Sequence, residues 1–209
     1  MMAAARELEK PVHVEHITDE ALMAEFQNGS ARAFERLFTR HKKPVFSFLV
    51  RHVGRASIAE ELFQELFLRV IKAAPVYRPE ARFTTWLYTI ARNLCIDQAR
   101  RQKARPADTS DETGFGEPAW SDRAGTGASA PDRQLVAGEL QAELTRAIDT
   151  LLPEQREVFL MREFLNLRFK EIAAIVGVGE NTVKSRMRYA LEHLRQVLGE
   201  GGNERGVHA

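Results

Sequence analysis

Residues 169–198 read FKEIAAIVGVGENTVKSRMRYALEHLRQVL. Ile172, Ala173, Ile175 and Val176 fall on one side of a first helix. Gly177 follows, at a place where helices stop because glycine takes the left-handed conformation without strain. A second helix is expected from near Glu180, with Val183, Met187, Ala190, Leu191, Leu194 and Leu198 as its apolar stripe. Its outward side near the start carries Asn181, Thr182, Lys184, Ser185 and Arg188. Basic residues sit there although the helix macrodipole favours acids at that end. A short helix, a glycine turn and a second helix with a polar, basic leading end form the helix-turn-helix pattern. In that motif the second helix lies in the major groove and its first turns read base edges. An ordinary amphipathic pair explains the stripes but not the placement of the cations, so DNA reading is the expectation.

The rest of the chain agrees in class. Its 209 residues suit one or two domains, and apolar residues recur at helical spacing with no clear strand alternation. The expected fold is all-α. A formal charge of +1 says nothing about partners, so charge distribution has to. A single cysteine excludes an internal disulfide framework and fits a reducing cytosol. No apolar run is long enough to cross a membrane, and residues 1–16 lack a signal-peptide core, so a cytoplasmic location is expected. No Cys/His/carboxylate cluster has metal-ligand spacing, and neither a phosphate-binding glycine loop nor a nucleophile with its base is placed by motif. The expectation is therefore no metal, no cofactor and no catalysis.

In chain order, residues 19–27 read as a short helix with Leu22, Met23 and Phe26 inward. Ser30 is placed to cap a second helix to about Val53, containing Pro44 and an inward His41 read as a packed histidine. Ser57 is placed to cap a third to about Ala73, with Leu62, Phe63, Leu66, Phe67, Val70 and Ile71 inward and an acidic outer face. A loop around Pro79 leads to a fourth helix, from a cap at Thr84 to about Lys103, with Trp86, Leu87, Ile90, Ala91 and Leu94 inward. Arg82, Arg92, Arg100, Arg101, Lys103 and Arg105 stand there against Asp97, a local electrostatic footprint for nucleic acid. Residues 104–131 turn rich in Gly, Pro and Asp and read as an acidic flexible linker. A helix from Asp132 to about Thr150 and another opened by Pro153 precede the DNA-reading pair.

Residues 152–195, LPEQREVFLMREFLNLRFKEIAAIVGVGENTVKSRMRYALEHLR, resemble the promoter-reading domain of bacterial RNA polymerase sigma factors of the extracytoplasmic-function group, most closely in TVKSR. This chain has Arg168 and Gly179 where the family usually has Ser or Thr helix caps, and Asn166 where it usually has a turn glycine. IAEELFQELFLRV (58–70) resembles the family segment that docks on the clamp helices of the polymerase largest subunit, and implies docking by Glu61, Gln64, Glu65 and Leu68. RFTTWLYTIARNLCIDQARR (82–101) resembles the segment that binds the melted −10 element. With the loop before it, it implies contacts by Tyr77, Arg78, Arg82, Phe83, Asn93, Arg100 and Arg101, residue types that stack on or hydrogen-bond an unpaired base. The recognition-helix residues Asn181, Thr182, Lys184, Ser185 and Arg188 are then implied to read the −35 element.

The resemblance divides the chain into a tail (1–17), a sigma region 2 domain (18–103), the linker (104–131), a sigma region 4 domain (132–198) and a second tail (199–209). It implies core RNA polymerase and promoter DNA as partners, and an anti-sigma protein as regulator. A free-standing helix-turn-helix regulator is the alternative; it leaves the Glu61 face and the basic fourth helix without a role. The linker, as a flexible coil of about 28 residues, spans roughly 30 Å.

Overall fold

The structure, a computed structural model of the chain, describes residues 17–104 and 142–204, with side chains described as far as Gly199. Helix α1 spans Asp19–Gln27, α2 Ala31–Val53, α3 Ala56–Ala73 and α4 Phe83–Ala104, with a 3₁₀ turn at Ala74–Val76. A further helix, α5, covers residues 142–149; then come α6 (Pro153–Glu163), α7 (Phe169–Val176) and α8 (Glu180–Glu204). Every element among the described residues is helical, the all-α class expected. The expected linker from residue 105 onward, residues 132–141 of the helix expected from Asp132, and both chain ends lie outside the described residues.

Local signals set most boundaries. Thr18 and Ser30 cap α1 and α2, each hydroxyl accepting from the backbone N–H three residues on, Ala21 at 3.2 Å and Ala33 at 3.3 Å. Gly54 closes α2 in the left-handed conformation. Pro44 lies inside α2, which continues through it. Two expected caps are not used. α3 begins at Ala56 behind Arg55, so Ser57 already lies within the helix, and no side chain caps that end. α4 begins at Phe83, one residue ahead of Thr84, and its first N–H donates to Glu20 of α1 at 2.7 Å.

α1 to α4 enclose one core. Leu22, Met23, Leu37, Val45, Leu49, Leu66, Val70 and Leu87 are fully buried, each contributing on the order of 1.5–3 kcal/mol by leaving water. Phe34, Phe38, Phe63 and Phe67 interlock between α2 and α3, with ring centroids 4.8–6.4 Å apart and mostly edge-on. His41 is buried with its Nε2 2.8 Å from Asp19, the packed histidine expected, and Arg40 pairs with the same carboxylate. Burial pushes the Asp19 carboxyl up, but His41 and Arg40 outweigh it and lower its pKa. Ile71, expected inward, is 42% exposed: it lies one turn from the exposed Leu68 on the outer side of α3, while Val70 and Ala74 beside it are buried.

The C-terminal core comprises Ile148, Leu151, Val158, Leu160, Met161, Leu167, Ile172, Ile175, Val183, Met187, Ala190 and Leu194. Pro153 is the first residue of α6, as expected. Asn166 takes the left-handed turn with φ 51°, in the place where a glycine is usual. Leu191, expected in the stripe of α8, is 44% exposed.

The two halves pack on one another, chiefly through α4 and α7 and through α2 and α6. Arg92 of α4 grips Glu157 of α6 with Nε at 2.5 Å and Nη2 at 3.3 Å, and Glu157 is buried. Arg82 Nε meets Glu171 of α7 at 3.2 Å, and the Arg51 guanidinium lies 4.1 Å from the Phe164 ring. His52 sits half-buried beside this cluster. Burial pulls its imidazole below the usual 6.5; Glu157 opposes that, while Arg92 and Arg156 reinforce it. The fold thus prefers neutral His52, and the unfolded chain takes the proton first as pH falls. This stabilisation is complete above about 6.5 and is lost as pH drops through the lower folded value. Thermal melting should therefore fall between about pH 7 and pH 5, and His52→Gln should flatten that decline. A variant with the parent's pH profile would remove His52 as its source.

Candidate nucleic-acid and polymerase interfaces

The helix-turn-helix is built by three local devices. Glu171 accepts from the Arg168 backbone N–H at 2.7 Å, so the carboxylate three residues into α7 covers the end that Arg168 leaves without an oxygen cap. Gly177, at φ 73°, ends α7 and donates to Ala173 O at 2.9 Å. Gly179 O accepts from Thr182 and Val183, which starts α8. Val183, Met187 and Ala190 are buried against α6 and α7, and this turns the opposite side of α8 to solvent. Asn181, Thr182, Lys184, Ser185 and Arg188 are all exposed there. Lys184 pairs with Glu180 at 2.7 Å, an exposed i,i+4 contact that a phosphate can displace at little cost. The Ser185 hydroxyl donates to Asn181 O at 2.9 Å.

The second face surrounds the start of α4. Arg78 and Arg82 are exposed on the loop, and Asn93, Arg100 and Arg101 are exposed along the helix. Tyr77 and Phe83 are not on the surface: they are 7% and 1% exposed. With Trp86 they form one aromatic cluster, Tyr77 to Trp86 at 4.9 Å, Phe83 to Trp86 at 5.8 Å and Tyr77 to Phe83 at 6.2 Å. Burial, with the nearby charges of Glu20 and Asp19, pushes the Tyr77 phenol up to about 12, so it stays protonated. In this conformation these two rings pin the ends of the loop and offer no face to a base. Trp86 packs against the core, as its stripe implied.

The third face is the outer side of α3. Glu61, Gln64, Glu65 and Leu68 are all exposed, Leu68 by 51%. Glu65 holds Arg69 at 2.8 Å, and this hydrogen bond lowers its carboxyl pKa. Leu68 and the exposed Ile71 place an apolar strip beside the acids, a mixed surface fit for docking protein.

Sequence reasoning missed Glu157 and Arg92 as partners. The available signal was local: Glu157 precedes the buried Val158, Leu160 and Met161 on a short helix, and shares a face with Met161. Among the described residues no group of three or more His, Cys, Asp and Glu is arranged to hold a metal. No described helix is long and apolar enough to cross a membrane. Cys95 is buried, and burial pushes its thiol up to about 12, too high for a reactive thiolate.

Comparison with known proteins converges. Residues 37–105 match the family model Sigma-70 region 2, and residues 141–194 match Sigma-70, region 4. The chain is 35% identical over 178 residues to RNA polymerase sigma factor CarQ of Myxococcus xanthus, covering 85% of this chain and 96% of that one. It is 31% identical over 182 residues to the ECF RNA polymerase sigma-E factor of Escherichia coli K12, covering 85% and 93%. Among solved structures it superposes on CnrH, determined with the cytosolic domain of CnrY, at TM-score 0.63 and 20% identity over 87% of this chain and 97% of that chain. It superposes on the sigma factor RpoE of Bartonella quintana, determined with the anti-sigma factor NepR, at TM-score 0.60 and 19% identity over 81% and 98%. At those identities the likeness is one of fold.

Proposed function

The chain belongs to the extracytoplasmic-function group of RNA polymerase sigma factors, and from that premise we propose which of its surfaces carry the work. A sigma factor binds core polymerase and directs initiation at promoters; it acts by binding, and no catalytic step is assigned to this chain. The carrying observation is that both sigma regions lie in order on one chain and account for the acidic α3 face, the basic α4 side and the α8 start together. A free-standing regulator accounts only for the last.

The exposed Glu61, Gln64, Glu65 and Leu68 dock on the clamp helices of the polymerase largest subunit. Arg78, Arg82, Asn93, Arg100 and Arg101 contact the −10 element, with Tyr77 and Phe83 holding the loop that presents them. Asn181, Thr182, Lys184, Ser185 and Arg188 read the −35 element. The domain division is that of residues 18–103 and 132–198, joined by 104–131. The chain acts in the cytoplasm, where its DNA and polymerase are, and an anti-sigma protein holds it inactive, as NepR accompanies the Bartonella factor.

Packing of the two halves bears on this scheme. Elements about 25 base pairs apart lie on the order of 85 Å apart along the duplex, whereas α4 and α7 touch. Reading both elements at once requires the halves to separate, breaking Arg92–Glu157 and Arg82–Glu171 and freeing two cations for phosphate. The deciding experiment is transcription in vitro with purified core polymerase on genomic fragments. Transcripts should appear only when both are present; none with both would reject the sigma assignment.

For the upstream reader, Lys184→Ala and Arg188→Ala should each weaken −35 binding. A lost base-edge contact should cost about 1–3 kcal/mol and relax one position. A lost phosphate contact should weaken all sequences alike and lower the salt slope by about one unit. Binding across a promoter library at two salt concentrations separates the two outcomes. Parental affinity in both variants would move the reader elsewhere.

A further inference from the structure

The first helix has no role in the scheme above, and the matched sigma region begins only at residue 37. Yet α1 makes direct polar contacts to both ends of the loop between the 3₁₀ turn and α4. Gln27, the last residue of α1, directs its side-chain amide at that loop. Its Nε2 donates to Ala74 O at 2.8 Å and to Tyr77 O at 2.9 Å. Both N–H bonds of the amide are then used, and both partners are acceptors, so the network fixes which amide atom points inward. In the first turn of the same helix, Glu20 accepts the Phe83 backbone N–H at 2.7 Å. Phe83 is the first residue of α4, whose leading N–H groups have no partner within their own helix, and a carboxylate there also meets the favourable end of the helix dipole. α1 itself is tied down: Asp19 bonds His41 and Arg40 of α2, and Arg40 also donates to Ile17 O.

Between these anchors the residues from Arg78 to Arg82 are exposed, while Tyr77 and Phe83 on either side are buried. Five exposed residues thus arch between two buried rings, and each foot of the arch is held by one side chain from α1. Within its own half the arch is held from α1 and not by its own sequence, which holds one short internal bond, Glu80 N–H to Arg78 O; its other described polar tie, Arg82 to Glu171 of α7 at 3.2 Å, crosses to the other half. We propose that Gln27 and Glu20 are positioning residues for downstream-element recognition: they pre-form the 78–82 arch so that it meets an unstacked base without having to be ordered on binding. This rests on the reading of that loop as the −10 contact. A pre-ordered loop loses less freedom on binding and discriminates better between bases, because a wrong base cannot be accommodated by adjusting the loop.

The test uses the full chain with core polymerase and a promoter library randomised across the −10 element. Gln27→Met removes both donors at nearly constant volume, and Glu20→Met removes the acceptor. Each should reduce the preference for the best −10 base over the others by about tenfold, the scale of one or two net hydrogen bonds. Glu20→Gln keeps an oxygen that can accept from Phe83 N–H and should retain the preference, which a role for charge alone would not allow. Core binding and −35 binding should stay at parental values in all three; the Met variants should melt a few degrees lower, as loss of one or two bonds requires, with helical content unchanged. Full preference in both Met variants, with the parent discriminating, overturns the proposal. So does a loss of preference accompanied by loss of core binding, since that marks collapse of the domain. If instead the parent shows no preference that a substitution within 78–82 alters, the loop is not the reader, and the failure lies with the reading beneath.

Discussion

Glu61→Lys combined with Gln64→Ala is expected to abolish binding to core polymerase and to leave the fold intact. Both side chains stand on the exposed side of α3, opposite the buried Ala59, Leu62, Leu66 and Val70, so no packing is lost. Neither takes part in a described ion pair, and Glu65–Arg69 beside them is undisturbed. A clamp surface that receives an acidic patch is basic, and a like charge brought against it costs several kcal/mol. At about 1.4 kcal/mol per factor of ten, that removes two or more orders of magnitude of affinity. Circular dichroism and melting should match the parent, while co-purification with core should fail. A folded double mutant that still co-purifies would take α3 out of the docking surface.

Glu157→Ala should have the largest effect on the free protein. The carboxylate is buried, and Arg92 holds it with two hydrogen bonds. Removing one partner of such a pair leaves the other charge without compensation, which costs about 3–5 kcal/mol in buried settings. The Arg92 side chain is 22% exposed, which places the expected cost near the lower end, about 3 kcal/mol. The loss falls on the contact between the halves, since the pair joins α4 to α6 across it. Small-angle scattering should therefore show a larger radius of gyration with helical content unchanged. Transcription with core polymerase should hold or rise, because under the proposed scheme promoter reading has to break this bond. An unchanged radius would show that Arg92–Glu157 does not hold the halves together. A lower transcript yield from a folded variant would assign Glu157 a part in the open complex.

Much of this was legible in the residues. The 3.6-residue spacing of apolar side chains is a property of the helix itself, so the inward stripes of α2, α3, α4 and α8 could be read before any helix was placed beside another. Ser30, Pro153 and Gly177 mark boundaries of α2, α6 and α7 for the same reason: cap chemistry is local. The outward set at the start of α8 follows once its stripe is known. What a stripe cannot say is how far a neighbour covers it. Ile71 and Leu191 obey the period yet stay exposed, because no element reaches over them, whereas Tyr77 and Phe83 sit at the two ends of a loop and are buried in one aromatic cluster with Trp86. The cap at Thr84 fails on similar grounds: α4 starts a residue early, where Glu20, 63 positions away, supplies the acceptor. Glu157 is the strongest case. A carboxylate on a short helix is ordinarily turned to water, and only the approach of Arg92 from the other half makes its burial tolerable. Local geometry is written in neighbouring residues; the partner that satisfies a buried charge or an open helix end is known only when distant segments meet.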